Sequence, residues 1–179
     1  MINIVLHQPE IPFNTGAIGR TCVATGSALH LIYPLGFILN DRYVRRAGMD
    51  YWDRLDLTEY NDYEDFCEKH GNLVYEGEIT DSDDNIKPHL WFATTKARQC
   101  YSDVHFGPDD YIMFGKESAG IPEEILVEHP GACIRIPMLG DTRSLNLSNS
   151  VAIVLYEALR QNGFPGLNEM GNLHRLSWS

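Results

Sequence analysis

Five apolar-rich stretches of strand length, at residues 2–6, 29–33, 90–93, 111–114 and 133–136, recur along the chain with helical patterns between them. None alternates apolar and polar residues as a strand with one wet face does, so each reads as a strand buried on both sides. The helix candidates are 15–25, 62–69, 122–128 and 147–161, with Pro122 at a first helical position and Gly26 as a helix stop. Strands alternating with helices predict an α/β fold, a mostly parallel sheet flanked by helices on both faces. At 179 residues the chain reads as one domain, 1–179, without internal repeats.

In such sheets ligands sit beyond the carboxyl ends of the strands, which directs attention to the polar runs that follow them. The densest is Ile134-Arg-Ile-Pro-Met-Leu-Gly-Asp-Thr-Arg-Ser-Leu-Asn-Leu-Ser-Asn-Ser150, an apolar run passing directly into a helix. Val151, Val154, Leu155, Ala158 and Leu159 follow the i, i+3, i+4, i+7, i+8 pattern, and Gly163 and Pro165 close the helix. Capping and turn chemistry would account for any one of Ser144, Asn146, Ser148 and Asn149. Four together, just after Arg143, favour a site.

Two further clusters interrupt the scaffold. Gln8-Pro-Glu-Ile-Pro-Phe-Asn-Thr-Gly-Ala-Ile-Gly-Arg20 follows the first strand and leads into a helix. Alone, Asn14 reads as an N-cap and Gly16 as a packing glycine. Arg20, placed on the second helical turn, is expected to reach back toward the crevice and present a fork of donors to a phosphate or sugar oxygen. Phe114-Gly-Lys-Glu-Ser-Ala-Gly-Ile-Pro122 runs from a strand through a loop bounded by Gly115 and Gly120, where backbone can approach a ligand closely. Neither GxxxxGK[ST] nor GxGxxG occurs, so this is not a standard phosphate loop.

A net charge of −11 excludes nucleic-acid binding by bulk electrostatics but not a local basic face. Arg42, Arg45 and Arg46 cluster within five positions, Lys96 and Arg98 follow a strand, and Arg20, Lys116 and Arg143 stand in the polar motifs. The expectation is a basic surface built from Arg20, Arg42, Arg45, Arg46 and Arg143. Acidic residues concentrate at 50–68, 76–84 and 123–128, and the polar stretch 76–88 reads as an exposed loop. No apolar run is long enough to span a bilayer and the first residues carry no basic leader, so a soluble cytoplasmic protein is expected, without membrane contact. Cys22, Cys67, Cys100 and Cys133 are scattered and read as reduced thiols. The seven histidines lack ligand spacing, and no metal is expected.

Taken jointly, Asn-x-Gly-x-x-x-Arg at 14–20, Phe-Gly-x-Glu-x-x-Gly-Ile-Pro at 114–122, and Ile-Pro-Met followed by Ser-Leu-Asn-Leu-Ser-Asn at 136–149 resemble the motifs of the SPOUT methyltransferases in order and spacing. The resemblance runs over nearly the whole chain. It is nearest to the small bacterial tRNA (cytidine/uridine-2′-O)-methyltransferases of the wobble nucleotide, which lack an appended RNA-binding domain. Asn3-Ile-Val-Leu, Glu10-Ile-Pro, the segment at 45–51 and Thr94-Thr-Lys96 agree with it.

The resemblance implies an α/β fold with a deep C-terminal trefoil knot, a homodimer, S-adenosyl-L-methionine as cofactor, and tRNA bound across the subunit boundary. Carried over, the cofactor shell comprises Ala93, Thr94, Gly115, Glu117, Ile136, Met138, Ser144 and Leu145. The chemistry falls to Arg20, supported by Asn14, Glu117, Ser144 and Asn146. Because a guanidinium offers only donors, Arg20 is expected to hold the 2′-oxygen or an adjacent phosphate rather than act as a base. Two alternatives remain open at this point: a non-catalytic RNA-binding module of the same fold, and a 2′-O-methyltransferase acting on ribosomal RNA.

Overall fold

The computed structural model describes residues 1–39, 51–75, 87–140 and 143–178. Its strands are β1 (Asn3–His7), β2 (Ala28–Ile32), β3 (Leu57–Tyr60), β4 (Leu90–Ala93), β5 (Gln99–Cys100), β6 (Tyr111–Phe114) and β7 (Cys133–Arg135). Its α-helices among the described residues are α1 (Pro12–Thr25), α2 (Tyr63–Lys69), α3 (Glu123–Glu128) and α4 (Leu147–Gln161). All seven strands share one sheet in the order β3-β2-β1-β6-β4-β7-β5. Every pairing is parallel, with Leu6 opposite Leu31 on one side and Phe114 on the other.

Alternate residues of the central strands supply two separate cores. Ile4, Leu6, Leu29, Leu31, Ile112 and Phe114 pack with Ile18 and Cys22 of α1 and with Val151, Val154, Leu155 and Ala158 of α4. On the opposite face Val5, Ile32, Phe92 and Met113 pack with Phe66 of α2 and Leu126 of α3. Each such buried side chain contributes about 1.5–3 kcal/mol of transfer free energy, and burial on both faces is why these strands read as continuous apolar runs.

The five sequence-predicted strands are present within a residue or so of their expected limits. The two strands without an apolar signature, β3 and β5, are the two edges of the sheet. Thr58 and Glu59 of β3 are exposed, and β5 has only two residues, so neither carries a doubly buried pattern. Helix α1 starts at Pro12 rather than Thr15, since proline is pre-set for a first turn that needs no N–H. That extension moves Arg20 from the second turn to the third. Pro122 stands at the N-cap of α3 with extended backbone (ψ 138°), one place before the first helical position expected for it. Gly26 ends α1 in the left-handed conformation (φ 66°), as a stop glycine should.

Buried polar groups are organised into directed hydrogen-bond chains. Asn3 donates from Nδ2 to the Met1 and Asp109 carbonyls, which leaves its Oδ1 to accept from His30 Nε2 (3.3 Å). His30 Nδ1 must then accept from the Tyr60 hydroxyl (2.8 Å), whose oxygen accepts from His70 Nε2 (2.7 Å). Burial first, and the neighbouring His70 second, push the His30 pKa down to about 4, so this chain is built for a neutral imidazole. Asp110, buried at the start of β6, accepts from Trp91 Nε1 (2.7 Å) and from the His89 and Gly107 amides (both 2.9 Å).

Cys22 and Cys133 are buried, Cys67 and Cys100 half-buried, and none forms a disulfide. Burial raises the Cys22 thiol to about 12, which keeps it an inert core group. Among the described residues, no helix is long and apolar enough to cross a membrane, and no group of three or more His, Cys, Asp or Glu side chains could hold a metal.

Candidate active site

The strand order reverses direction between β1 and β6: α1 carries the chain from β1 outward to β2, and α3 carries it from β6 to β7 on the other side. The strand-end loops therefore diverge there, opening a crevice at their carboxyl ends. A cavity of about 570 Å³ occupies this end of the sheet. Four stretches line it: 93–96 after β4, 114–120 after β6, 134–138 across and beyond the end of β7, and 143–147 leading into α4, with Ile11 and Asn14 from the β1–α1 connection. Volumes of this size suit a small organic ligand.

A chain of side-chain hydrogen bonds draws the three polar clusters together. The Glu117 carboxylate accepts from the Glu10 amide at Oε2 (2.8 Å) and from Asn14 Nδ2 (2.9 Å) and the Ile11 amide (3.3 Å) at Oε1. Asn14 Oδ1 accepts from Asn146 Nδ2 (3.0 Å). Asn146 Oδ1 in turn accepts from the amides of Ser148 (2.9 Å) and Asn149 (3.4 Å), capping α4. Both ends of this chain have fixed polarity, because a carboxylate only accepts and helix amides only donate. The orientation of both Asn amides follows.

The structure thus separates the roles that the residue types left open. Asn14 is not an N-cap: Ile11 holds that position without a side-chain bond, and Asn14 lies in the first turn with its amide turned toward Glu117 and Asn146. Asn146 is a cap and a link of the chain at once. Gly16 is buried, and its carbonyl accepts from the Tyr51 hydroxyl.

Gly115 and Gly120 shape the wall between β6 and α3. A Cβ at Gly115 would lie 2.0 Å from the Gly120 carbonyl carbon and 2.1 Å from the Ile121 nitrogen, so two stretches of backbone meet there with no room for a side chain. Gly120 takes φ 75° and its amide bonds the Lys116 carbonyl at 2.8 Å, closing the loop. Tyr101, Ile134, Ile136, Leu147 and Val154 add apolar side chains to the lining. Among the described residues, the backbone groups of Ile136, Met138 and Leu145 have no hydrogen-bonding partner.

Charge is distributed unevenly around the rim. Lys96, Lys116, Arg135 and Arg143 line the cavity, and among the described residues Glu117 is the single acid in the lining. Lys96 is paired with exposed Glu123 at 2.9 Å, a contact worth little in water. His7, buried at the end of β1, is held below its usual range by burial and then by the nearby Lys116 cation.

The structure brings most of the sequence-expected site residues together: Asn14, Ala93, Thr94, Gly115, Glu117, Ile136, Met138, Arg143, Ser144, Leu145 and Asn146 all line the cavity. Arg20 stands apart. It is exposed, its guanidinium lies 6.0 Å from the centre of the Tyr51 ring, and it does not line the cavity of its own chain. Arg42, Arg45 and Arg46, and most of the 76–88 loop, lie outside the described residues. Glu10 and Ser118 were not among the expected site residues, although Glu10 lies within the Gln8 to Arg20 cluster and Ser118 within the Phe114 to Pro122 cluster.

A parallel sheet with a carboxyl-end cavity walled by three hydrogen-bonded motif loops is the arrangement of an α/β enzyme site. The chain belongs to the SpoU rRNA Methylase family, whose model matches residues 1–156. It is 47% identical to a tRNA (cytidine(34)-2′-O)-methyltransferase of Photorhabdus asymbiotica, over 93% of this chain and 97% of the relative. A solved structure from Bacillus anthracis superposes with a TM-score of 0.83 at 40% identity, covering 95% of this chain and 100% of that one. Another, from a study of 2-OH methylation of C/U34 on tRNA, gives a TM-score of 0.78 at 37% identity over 91% of this chain and 97% of that one.

Proposed function

We propose that this protein transfers the methyl group of S-adenosyl-L-methionine to the ribose 2′-hydroxyl of the wobble nucleotide of tRNA, cytidine or uridine. The observation that carries this is the Glu117–Asn14–Asn146 chain, which joins the three motif loops into one wall of the cavity. The names of full-length relatives at this identity supply the substrate.

The cavity suits the cofactor chemically. Backbone groups at Ile136, Met138 and Leu145, which have no partner among the described residues, can read a neutral heterocycle by hydrogen bonds, while Ile134, Ile136 and Leu147 cover its faces. When bound, S-adenosyl-L-methionine supplies an electrophilic methyl group. The protein's task is to hold the attacking oxygen in line with that carbon and to stabilise the charge it develops. Glu117, Asn14 and Asn146 fix the loops, and Ser144 on the rim is placed to meet the substrate. The basic rim of Lys116, Arg135 and Arg143 suits a phosphate backbone.

Arg20 completes the site from a second copy of the chain. Helix α1 has one charged residue, Arg20, among its 14 residues, and its exposed positions are Phe13, Ala17, Arg20 and Ala24. Three of those four, Phe13, Ala17 and Ala24, are apolar, a surface suited to being covered. Phe13 is 73% exposed, and Ile153 and Tyr156 of the adjoining α4 are exposed too. A homodimer formed on this surface covers them and carries each Arg20 to the subunit boundary, where its guanidinium donates to the 2′-oxygen or a neighbouring phosphate. Arg42, Arg45 and Arg46 extend the RNA-contacting surface.

Residues 1–179 act as one catalytic domain in the cytoplasm, with the C-terminal segment threaded as a trefoil knot. The return of α4 onto α1, and the passage of 143–147 in front of the β4 and β6 ends, support that path. The test is incubation with labelled S-adenosyl-L-methionine and total tRNA, then mapping of 2′-O-methyl nucleotides. Label at position 34 is expected. Label confined to ribosomal RNA, or cofactor binding without transfer, overturns the substrate assignment.

A further inference from the structure

We infer that Glu10 is a positioning residue for the cofactor-binding wall, acting through Ser118 as the reciprocal partner of Glu117. This rests on the methyltransferase function proposed above. Glu117 reaches from the β6 loop to the amides of Glu10 and Ile11 in the β1 loop (2.8 and 3.3 Å). Glu10 reaches back: its Oε2 accepts from the Ser118 amide and its Oε1 from the Ser118 hydroxyl, each at 2.9 Å. The two loops are thus clasped by two carboxylates pointing in opposite directions, 107 or 108 residues apart in sequence. The Ser118 bonds also hold the Glu10 carboxyl below its usual range.

The clasp lies where it controls the cavity. Lys116 to Gly120 form the wall between β6 and α3, and that loop is otherwise closed by the Gly120–Lys116 backbone bond. Without Glu10, Ser118 loses both of its cross-loop acceptors, and the loop tip is tethered to the β1 loop through Glu117 alone. Glu10 is itself braced from behind. The Gly36 amide donates to the Pro9 carbonyl (2.9 Å), and a Cβ at Gly36 would lie 2.7 Å from the Glu10 Cα. Glu10 does not itself line the cavity but bonds Ser118 and Glu117, which do, so its effect is on where the wall stands.

The test uses Glu10→Ala, Glu10→Gln and Gly36→Ala in the full chain, with S-adenosyl-L-methionine binding by calorimetry and amide hydrogen exchange at residues 117–121. Glu10→Ala should weaken cofactor binding about tenfold and speed Ser118 exchange by a similar factor, the scale of losing a charge-assisted hydrogen bond. Glu10→Gln should stay within about twofold of wild type, because an amide can accept from the Ser118 amide and donate to its hydroxyl. Gly36→Ala, which displaces the Glu10 backbone, should reproduce the alanine phenotype. Glu10→Ala with wild-type affinity and wild-type exchange overturns the inference. So does an equal loss in the glutamine variant, since rescue by the isostere separates positioning from a general folding defect. Should the wild type itself fail to bind the cofactor, the functional assignment fails, and the exchange arm still decides the role of Glu10.

Discussion

Replacing Asn14 by aspartate would reverse one bond of the central chain while keeping its shape. In the native protein Asn14 Nδ2 donates to Glu117 Oε1 at 2.9 Å and Asn14 Oδ1 accepts from Asn146 at 3.0 Å. The aspartate keeps the second bond and converts the first into a contact between two carboxylate oxygens. Asn14→Ala removes both bonds and is expected to cost about 2–4 kcal/mol, from one charge-assisted and one neutral hydrogen bond. For Asn14→Asp the penalty above the lost bond has a ceiling, because the pair can take up one proton instead of remaining doubly charged. From an ordinary carboxyl pKa near 4.3, that uptake costs about 4 kcal/mol at pH 7 and about 1 kcal/mol at pH 5. Once shared, the proton restores a short hydrogen bond between the two groups. Urea unfolding of both variants at pH 7 and pH 5 should therefore show the aspartate variant less stable than the alanine variant at pH 7. The difference should shrink by roughly 2–3 kcal/mol, or change sign, at pH 5. The comparison between variants cancels effects of pH on the rest of the molecule. A difference that does not move with pH would refute the assigned polarity of the Glu117–Asn14–Asn146 chain.

Four further outcomes are expected. His30 is pushed down to about 4 in the folded protein, so between pH 6.5 and 4 the unfolded chain binds a proton that the folded one refuses. Stability should fall across that window by up to roughly 3 kcal/mol, and His30→Gln should flatten the loss in denaturant titrations. Gly115→Ala forces a Cβ against the Gly120–Ile121 backbone and should cost more than about 3 kcal/mol, read as a lowered thermal midpoint; a neutral substitution would contradict the close approach. Arg20→Lys should lower methyl transfer by about a hundredfold while leaving cofactor affinity within about twofold, since lysine lacks the planar fork. Near-normal turnover in that variant would remove the orienting role of Arg20. Phe13→Glu should convert the proposed homodimer to monomers in sedimentation experiments, and an unchanged dimer would place the interface elsewhere.

Legibility in the sequence followed burial and distance along the chain. The five central strands were readable because both faces are covered, and the edge strands β3 and β5 were not, because Thr58 and Glu59 face solvent and β5 is only two residues long. Helix α4 was readable to both ends, Leu147 to Gln161, because its period, its Asn146 cap and Gly163 are all local signals. The cavity residues were legible as three motifs in a fixed order. The Glu10–Ser118 clasp was not, since neither residue type marks a carboxylate that will accept from a loop 108 residues away.

By itself the sequence determined the layer architecture, the helix that closes the site and the family, because hydrophobic period, caps and motif order are written in neighbouring residues. Only the tertiary structure decided what Asn14 does. Its nearest local use was to cap a helix, yet Pro12 starts that helix early and leaves the amide free to join Glu117 and Asn146, 103 and 132 residues away. The tertiary structure likewise placed Arg20 outside the cavity lining, on the exposed face of α1 beside the apolar Phe13, Ala17 and Ala24. The reason is the same in both cases. A side chain's partner is set by which strand ends the sheet order brings side by side, and that order is a property of the packed sheet rather than of any one segment.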